Sequence, residues 1–117
     1  MGMLDYTITR TDNPTSAEEL SEILANPGFG KHFTDHMVTI DWTEEKGWHD
    51  AQVRPYGPMT MEPASNVFHY GQAIFEGIKA YRQPDDSIAT FRPDHNAQRF
   101  INSAERLAMP ELPQEEF

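Results

Sequence analysis

The amino-acid sequence predicts an α+β fold, and three observations carry that expectation. Short β-branched and aromatic stretches separated by turn residues occupy residues 37–61, the pattern of antiparallel strands. Two further extended stretches flank Pro84-Asp85-Asp86-Ser87, which makes a hairpin the simplest arrangement there. An apolar stripe at helical spacing then runs from Ala97 to Ala108, so a helix belongs on the same chain as the strands.

Residues 1–14 mix polar groups with Leu4, Tyr6 and Ile8, which suits a short edge strand or a tail laid across a surface. Thr15-Ser16 offers a hydroxyl cap, Glu18 or Glu19 falls in the first turn, and Leu20, Ile23 and Leu24 follow at helical spacing. Asn26-Pro27-Gly28 ends that helix. Residues 37–42 form a strand, Glu44-Glu45-Lys46-Gly47 a turn, and Trp48 opens a second extended stretch through Ala51, Val53 and Tyr56. Gly57-Pro58 interrupts it before Met59-Thr60-Met61 resumes the alternation.

Val67, Tyr70, Ile74 and Phe75 fit two helical turns. Gly71 would lie inside them, at a cost of about 1 kcal/mol against alanine. Gly77 marks the change of period, and residues 78–83 pair with residues 88–91 across the Pro-Asp-Asp-Ser turn. Pro93 suits the first helical position and Asp94 the positive helix end, while Ala97, Phe100, Ile101, Ala104, Leu107 and Ala108 form one apolar face. Pro110 ends this helix, and residues 112–117 read as the first turn of another.

A chain of 117 residues is long enough for one domain that buries roughly two-thirds of its unfolded surface. Its hydrophobic fraction is only 38%, so a partner surface is expected to complete the core. Nineteen acidic against nine basic residues give a formal charge of -10, which repels phosphate backbones and anionic lipid and argues against a nucleic-acid or membrane partner. Six of the nine bases lie in residues 51–117, so an anion site is expected there. The absence of cysteine excludes disulfides, a thiolate zinc site and a cysteine nucleophile. No apolar run is long enough to span a bilayer, and the N-terminus lacks the order of a secretory signal, which makes the cytoplasm the default.

Arg99 flanks the apolar face of the 93–108 helix, where its planar guanidinium suits a phosphate or carboxylate. From spacing alone, an arginine paired with a nearby acid is the commoner outcome, and Arg106 lies seven residues on along the same side. Phe29, Tyr70 and Phe75 are candidate pocket aromatics, although isolated aromatics are more often plain core. Glu76-Gly77 brings backbone within reach of a ligand, or serves only as a change of element. His32, Asp35 and His36 would share a face if their stretch were helical, but the strand that follows argues against it, so no metal is expected. Glu44-Glu45 and Glu111, Glu115 and Glu116 have no partners spaced for acid and base work, and no glycine-rich phosphate loop occurs.

Phe29-Gly30-Lys31-His32-Phe33-Thr34-Asp35-His36-Met37, Pro63-Ala64-Ser65, His69-Tyr70-Gly71, Phe75-Glu76-Gly77-Ile78-Lys79-Ala80-Tyr81 and Phe91-Arg92-Pro93, followed by Asn96, Arg99 and Arg106-Leu107, stand in one order along the chain. On these motifs the stretch from Asn26 onward resembles the N-terminal part of branched-chain amino acid aminotransferases, pyridoxal-phosphate enzymes of fold type IV. The resemblance implies a two-layer α/β sandwich with helices on an antiparallel sheet. Residues 1–25 would be an extension with a short helix, and residues 26–117 an incomplete N-terminal small domain whose larger cofactor-binding domain is absent.

The resemblance further implies that Arg99 binds the phosphate of pyridoxal 5'-phosphate, with Arg106 left structural. Phe29, Tyr70 and Phe75 would line the slot for the aliphatic side chain of leucine, isoleucine or valine, with Gly77 near its floor. The amino group would pass to 2-oxoglutarate, giving the 2-oxo acids and glutamate, in a cytoplasmic homodimer serving amino-acid biosynthesis. No catalytic residue is expected among these 117, because the cofactor's lysine and the carboxylate facing its ring nitrogen belong to the other domain; the chain alone is expected to be inactive. Another fold type IV enzyme, of the D-amino acid aminotransferase or aminodeoxychorismate lyase type, is the enzymatic alternative, and a non-catalytic interaction domain the other. The Phe-Glu-Gly-Ile-Lys-Ala-Tyr and Phe-Thr-Asp-His-Met stretches favour the branched-chain type.

Overall fold

The computed structural model describes residues 3–117, which fall into two units, residues 3–60 and residues 61–117. In the first, a hairpin forms the centre. Strand β2 (His36–Thr43) pairs antiparallel with β3 (Gly47–Pro55), Val38 facing Val53 and Trp42 facing Trp48. The short turn between them is fixed by the Thr43 hydroxyl, which accepts from the Lys46 N–H at 3.2 Å. The register slips by one residue between Thr39 and Asp41, and Asp50, at φ 50, lies in the bulged part of β3, a conformation that aspartate tolerates better than most residues.

The leading tail contributes β1 (Thr7–Ile8), which adds in parallel to β3, so the three-stranded sheet has the order β1-β3-β2 and is mixed. A two-residue strand carries no periodicity of its own, and its direction is set by where the tail is held. Thr15 donates its N–H and its hydroxyl to the Asp35 carboxylate at 3.0 and 2.5 Å, and the Thr11 N–H donates to His36 Nε2 at 3.0 Å. Helix α1 (Ala17–Ala25) follows, and its expected cap is present: the Ser16 hydroxyl accepts from the Glu19 N–H at 3.2 Å. Residues 59–61 form no strand.

In the second unit, helix α2 (Asn66–Tyr70) is one turn rather than the two expected over 67–75. Gly71 stops it, sitting in the left-handed region at φ 61 as the C-terminal cap, a place where glycine escapes the Cβ penalty. Strands β4 (Ala80–Arg82) and β5 (Ile88–Thr90) form the expected hairpin, with Tyr81 opposite Ala89. Asp85 ties its turn by accepting from both the N–H and the hydroxyl of Ser87.

Helix α3 (Pro93–Arg106) begins with proline in its first turn, as expected, and ends two residues short of Ala108. Ala108 adopts φ 52; its N–H reaches the Glu105 carbonyl at 3.1 Å and the Met109 N–H reaches that of Ala104 at 2.9 Å. These two bonds are a Schellman ending, built here on alanine. Residues 112–117 hold a single 3-10 turn, Gln114–Glu116. It folds back on α3, with the Phe100 and Phe117 rings 5.6 Å apart and the Gln114 amide donating to Gln98 at 2.8 Å.

The α+β class therefore stands, with antiparallel pairing in both sheets and one parallel addition. Among the described residues the buried hydrophobics are small: Ala51, Ala97 and Ala104. Phe29, Phe68, Tyr70, Phe75 and Phe91 are exposed, more large apolar surface than a self-contained small domain leaves in water. No helix among the described residues is long and apolar enough to cross a membrane.

Candidate functional site

The segment after α2 forms neither helix nor strand up to β4, and three hydrogen-bonded contacts dock it along α3. The Gln72 side-chain amide donates to the Leu107 carbonyl at 2.8 Å, the Arg99 Nε donates to Glu76 Oε1 at 2.8 Å, and Asn96 Nδ2 donates to Glu76 Oε2 at 2.7 Å and to the Gly77 carbonyl at 3.0 Å. The partners run in opposite directions: 72, 76 and 77 against 107, 99 and 96. An extended chain from 72 to 77 covers roughly 16 Å, and a helix from 96 to 107 covers roughly the same length. That agreement lets three contacts close along one helix.

Glu76 is the hinge of this arrangement. Its side chain is 6% exposed, whereas that of Arg99 is 69% exposed. A carboxylate so withdrawn from water needs partners for both oxygens, and both have them. Oε1 accepts from Arg99 Nε and lies 2.7 Å from Nη2 in an ion pair, while Oε2 accepts from Asn96. Because Asn96 and Arg99 are three residues apart on α3, they share a face, and one carboxylate spans them.

Between the docked segment and α3 lies an open groove of about 740 Å³, lined by Ile74 and Phe75 on one side and by Arg99, Asn102, Ser103 and Arg106 on the other, with Glu76 between. The groove thus combines an apolar wall with two guanidinium-bearing residues. Of the five N–H donors of a guanidinium, Arg99 commits the one on Nε to a hydrogen bond with Glu76, and its Nη2 stands in ion-pair contact with the same oxygen. The others remain available to an anion.

Arg99 and Phe75 line the groove together. Gly77 is tied beside it through Asn96, and a Cβ built on Gly77 meets no atom within 4 Å, so no contact inside the protein requires glycine there. Tyr70 lies at the end of α2, 83% exposed, and is not part of the groove lining. Phe29 belongs to the other unit and is fully exposed. The paired-arginine expectation also holds for Arg99, with Glu76 as the acid.

Glu76, Asn96, Asn102 and Ser103 were not identified as working parts by spacing. Glu76 is 23 residues from Arg99, too far for a helical rule to link them; the only local signal was an acid placed directly before a glycine. In the first unit, the helical face that would have joined His32 to His36 does not form, since His36 opens β2 and accepts from Thr11, and Asp35 is engaged by Thr15. The two hydrogen bonds from Thr15, its hydroxyl first and its N–H second, hold the Asp35 carboxyl below its ordinary value of 3.8, against a smaller opposing effect of burial.

Comparison with known proteins extends this picture. No protein-family model matches the chain. A probable branched-chain-amino-acid aminotransferase of Streptomyces coelicolor is 62% identical over 105 residues, 90% of this chain and 29% of the relative. A branched-chain-amino-acid aminotransferase of Mycolicibacterium smegmatis is 57% identical over 116 residues, 99% of this chain and 32% of the relative. A branched-chain-amino-acid transaminase 1 of Bacillus subtilis is 52% identical over 88 residues, 75% of this chain and 25% of the relative. The chain thus spans a third or less of the length of these curated relatives.

Proposed function

We propose that this chain, similar over nearly its whole length to branched-chain-amino-acid aminotransferases, is the N-terminal segment of such an enzyme and forms one wall of its active-site cleft. The whole enzyme would transfer the amino group of leucine, isoleucine or valine to 2-oxoglutarate, as a cytoplasmic homodimer. Residues 26–117 would be the N-terminal small domain and residues 1–25 its extension. The large domain, with the cofactor's lysine, would complete the enzyme. The lysines of this chain, Lys31, Lys46 and Lys79, lie outside the groove lining, and we assign none of them a catalytic role.

Pyridoxal 5'-phosphate, when bound, supplies the electron sink for amino-group transfer. The residues present fit one side of such a group. Arg99 keeps guanidinium donors for a phosphate after its bonds to Glu76, and the groove wall beside it is apolar at Ile74 and Phe75. Phe75 would bound the slot for an aliphatic side chain, excluding water from it, with Tyr70 assigned there by resemblance and not by the groove lining, and Gly77 would let backbone approach the ligand because no side chain stands there. Phe29 takes the same role by resemblance alone. Discrimination per methylene in such a slot is only about 1 to 3 kcal/mol, so all three branched substrates should be accepted.

The observation that carries this proposal is the exposed, pinned guanidinium of Arg99 on a groove with an apolar wall. Its test is cofactor retention by the full-length protein on dialysis, with Arg99→Ala compared with Arg106→Ala. The first should lose pyridoxal phosphate far more readily than the second. Equal losses would reject the assignment of Arg99.

A further inference from the structure

We infer that Glu76 is the positioning residue for the anion-binding guanidinium of Arg99, holding the fork in one orientation so that its uncommitted donors stay directed to the groove. The inference rests on the proposed role of Arg99 and adds a second residue to that site. An arginine on an exposed helix face has several freely rotating bonds, and an anion that captures it must first immobilise it. Glu76 supplies that immobilisation: its Oε1 accepts a hydrogen bond from Arg99 Nε at 2.8 Å and forms an ion pair with Nη2 at 2.7 Å.

The carboxylate itself is held. Its other oxygen receives Asn96 at 2.7 Å, Asn96 also ties down the Gly77 carbonyl at 3.0 Å, and the side chain is 6% exposed. Rotation of Glu76 would break bonds to two residues of α3 at once.

Two physical effects of Glu76 on an anion oppose one another. Its negative charge repels the ligand, which predicts tighter binding when the carboxylate is removed; its grip on Arg99 orients the donors, which predicts weaker binding. Grip should prevail, because Glu76 interacts with the cation directly through short charge-assisted bonds, while a groove ligand would meet the donors on the far edge of the fork.

The decisive measurement is the dissociation constant of pyridoxal phosphate for the full-length apoprotein, followed by equilibrium dialysis, with pyridoxal, which lacks the phosphate, as the comparison ligand. Glu76→Ala should weaken pyridoxal phosphate about tenfold, the lower end of what loss of a supporting hydrogen-bond partner typically causes, and leave pyridoxal unchanged. Glu76→Gln, which keeps the size and an oxygen acceptor, should weaken it less and serves if the alanine variant does not fold. In an Arg99→Ala background, Glu76→Ala should produce no further loss. Unchanged or tighter binding in both Glu76 variants, with Arg99→Ala still weakening it, would overturn the inference and leave the role of Arg99 intact. Equal losses for pyridoxal and pyridoxal phosphate would reduce Glu76 to a general support of the fold. If Arg99→Ala itself leaves pyridoxal phosphate affinity unchanged, the reading of Arg99 fails and this inference with it.

Discussion

Replacing Ala108 by glycine should stabilise the end of α3, and the size of the gain follows from the backbone. Ala108 sits at φ 52, where a Cβ crowds the following carbonyl at a cost of roughly 1–2 kcal/mol. Glycine removes that crowding but gives up more freedom on folding, a loss of roughly 0.5–1 kcal/mol. The net gain is about 0.5–1 kcal/mol, since the two terminal bonds, Ala108 N–H to Glu105 and Met109 N–H to Ala104, use only backbone atoms and survive the substitution. A stabilisation of that size slows local opening about two- to fivefold. Amide hydrogen exchange of peptides covering residues 100–110 reads it directly, whether or not the rest of the protein unfolds in one step. Exchange that is unchanged or faster in Ala108→Gly would refute the strain argument, and Ala108→Val should change it in the opposite direction.

Gly71→Ala is the reverse experiment: at φ 61 an added Cβ should cost a net of about 0.5–1 kcal/mol by the same balance and hasten exchange in α2, even though it would meet no other atom within 4 Å. The Asp35 carboxyl should titrate below 3.8, because Thr15 donates to its ionised form. A folded-state value under the unfolded one means that this contribution to stability is complete above 3.8 and disappears as pH falls through the lower, folded value. A carbon-detected NMR titration would show it, with Thr15→Val moving the midpoint up; a midpoint at or above 3.8 in the unsubstituted protein would contradict the bonding described.

Signals that act within a few residues were legible in the sequence. Ser16 with Glu19, Pro93 at the start of α3 and the Pro84-Asp85-Asp86-Ser87 turn all work through neighbouring backbone groups, and each is found in its expected place. The apolar spacing of Ile74 and Phe75 favours a helix that continues through Gly71, whereas the left-handed backbone at Gly71 ends it and sends those side chains to the groove. The parallel attachment of β1 depends on the Thr15–Asp35 and Thr11–His36 bonds across some twenty residues or more, and no local pattern encodes its direction. The same holds for the groove. The position of Arg99 on its helix suits either an anion binder or one member of an ion pair, and the acid that pairs with it without using all its donors is brought there only by the docking of the 72–77 segment on α3.

That docking sets two rulers with different graduations side by side. Deleting one residue from an extended member shifts everything beyond it by roughly 3.3 Å along its axis and turns its side chains to the opposite face, whereas one residue lost from the helix shifts the rest by only about 1.5 Å and swings it through about 100°. A one-residue insertion or deletion in either member should therefore break the match, since it turns Glu76 away from α3 in the one case and carries Asn96 and Arg99 off their shared face in the other, and no sliding of the opposite member restores it.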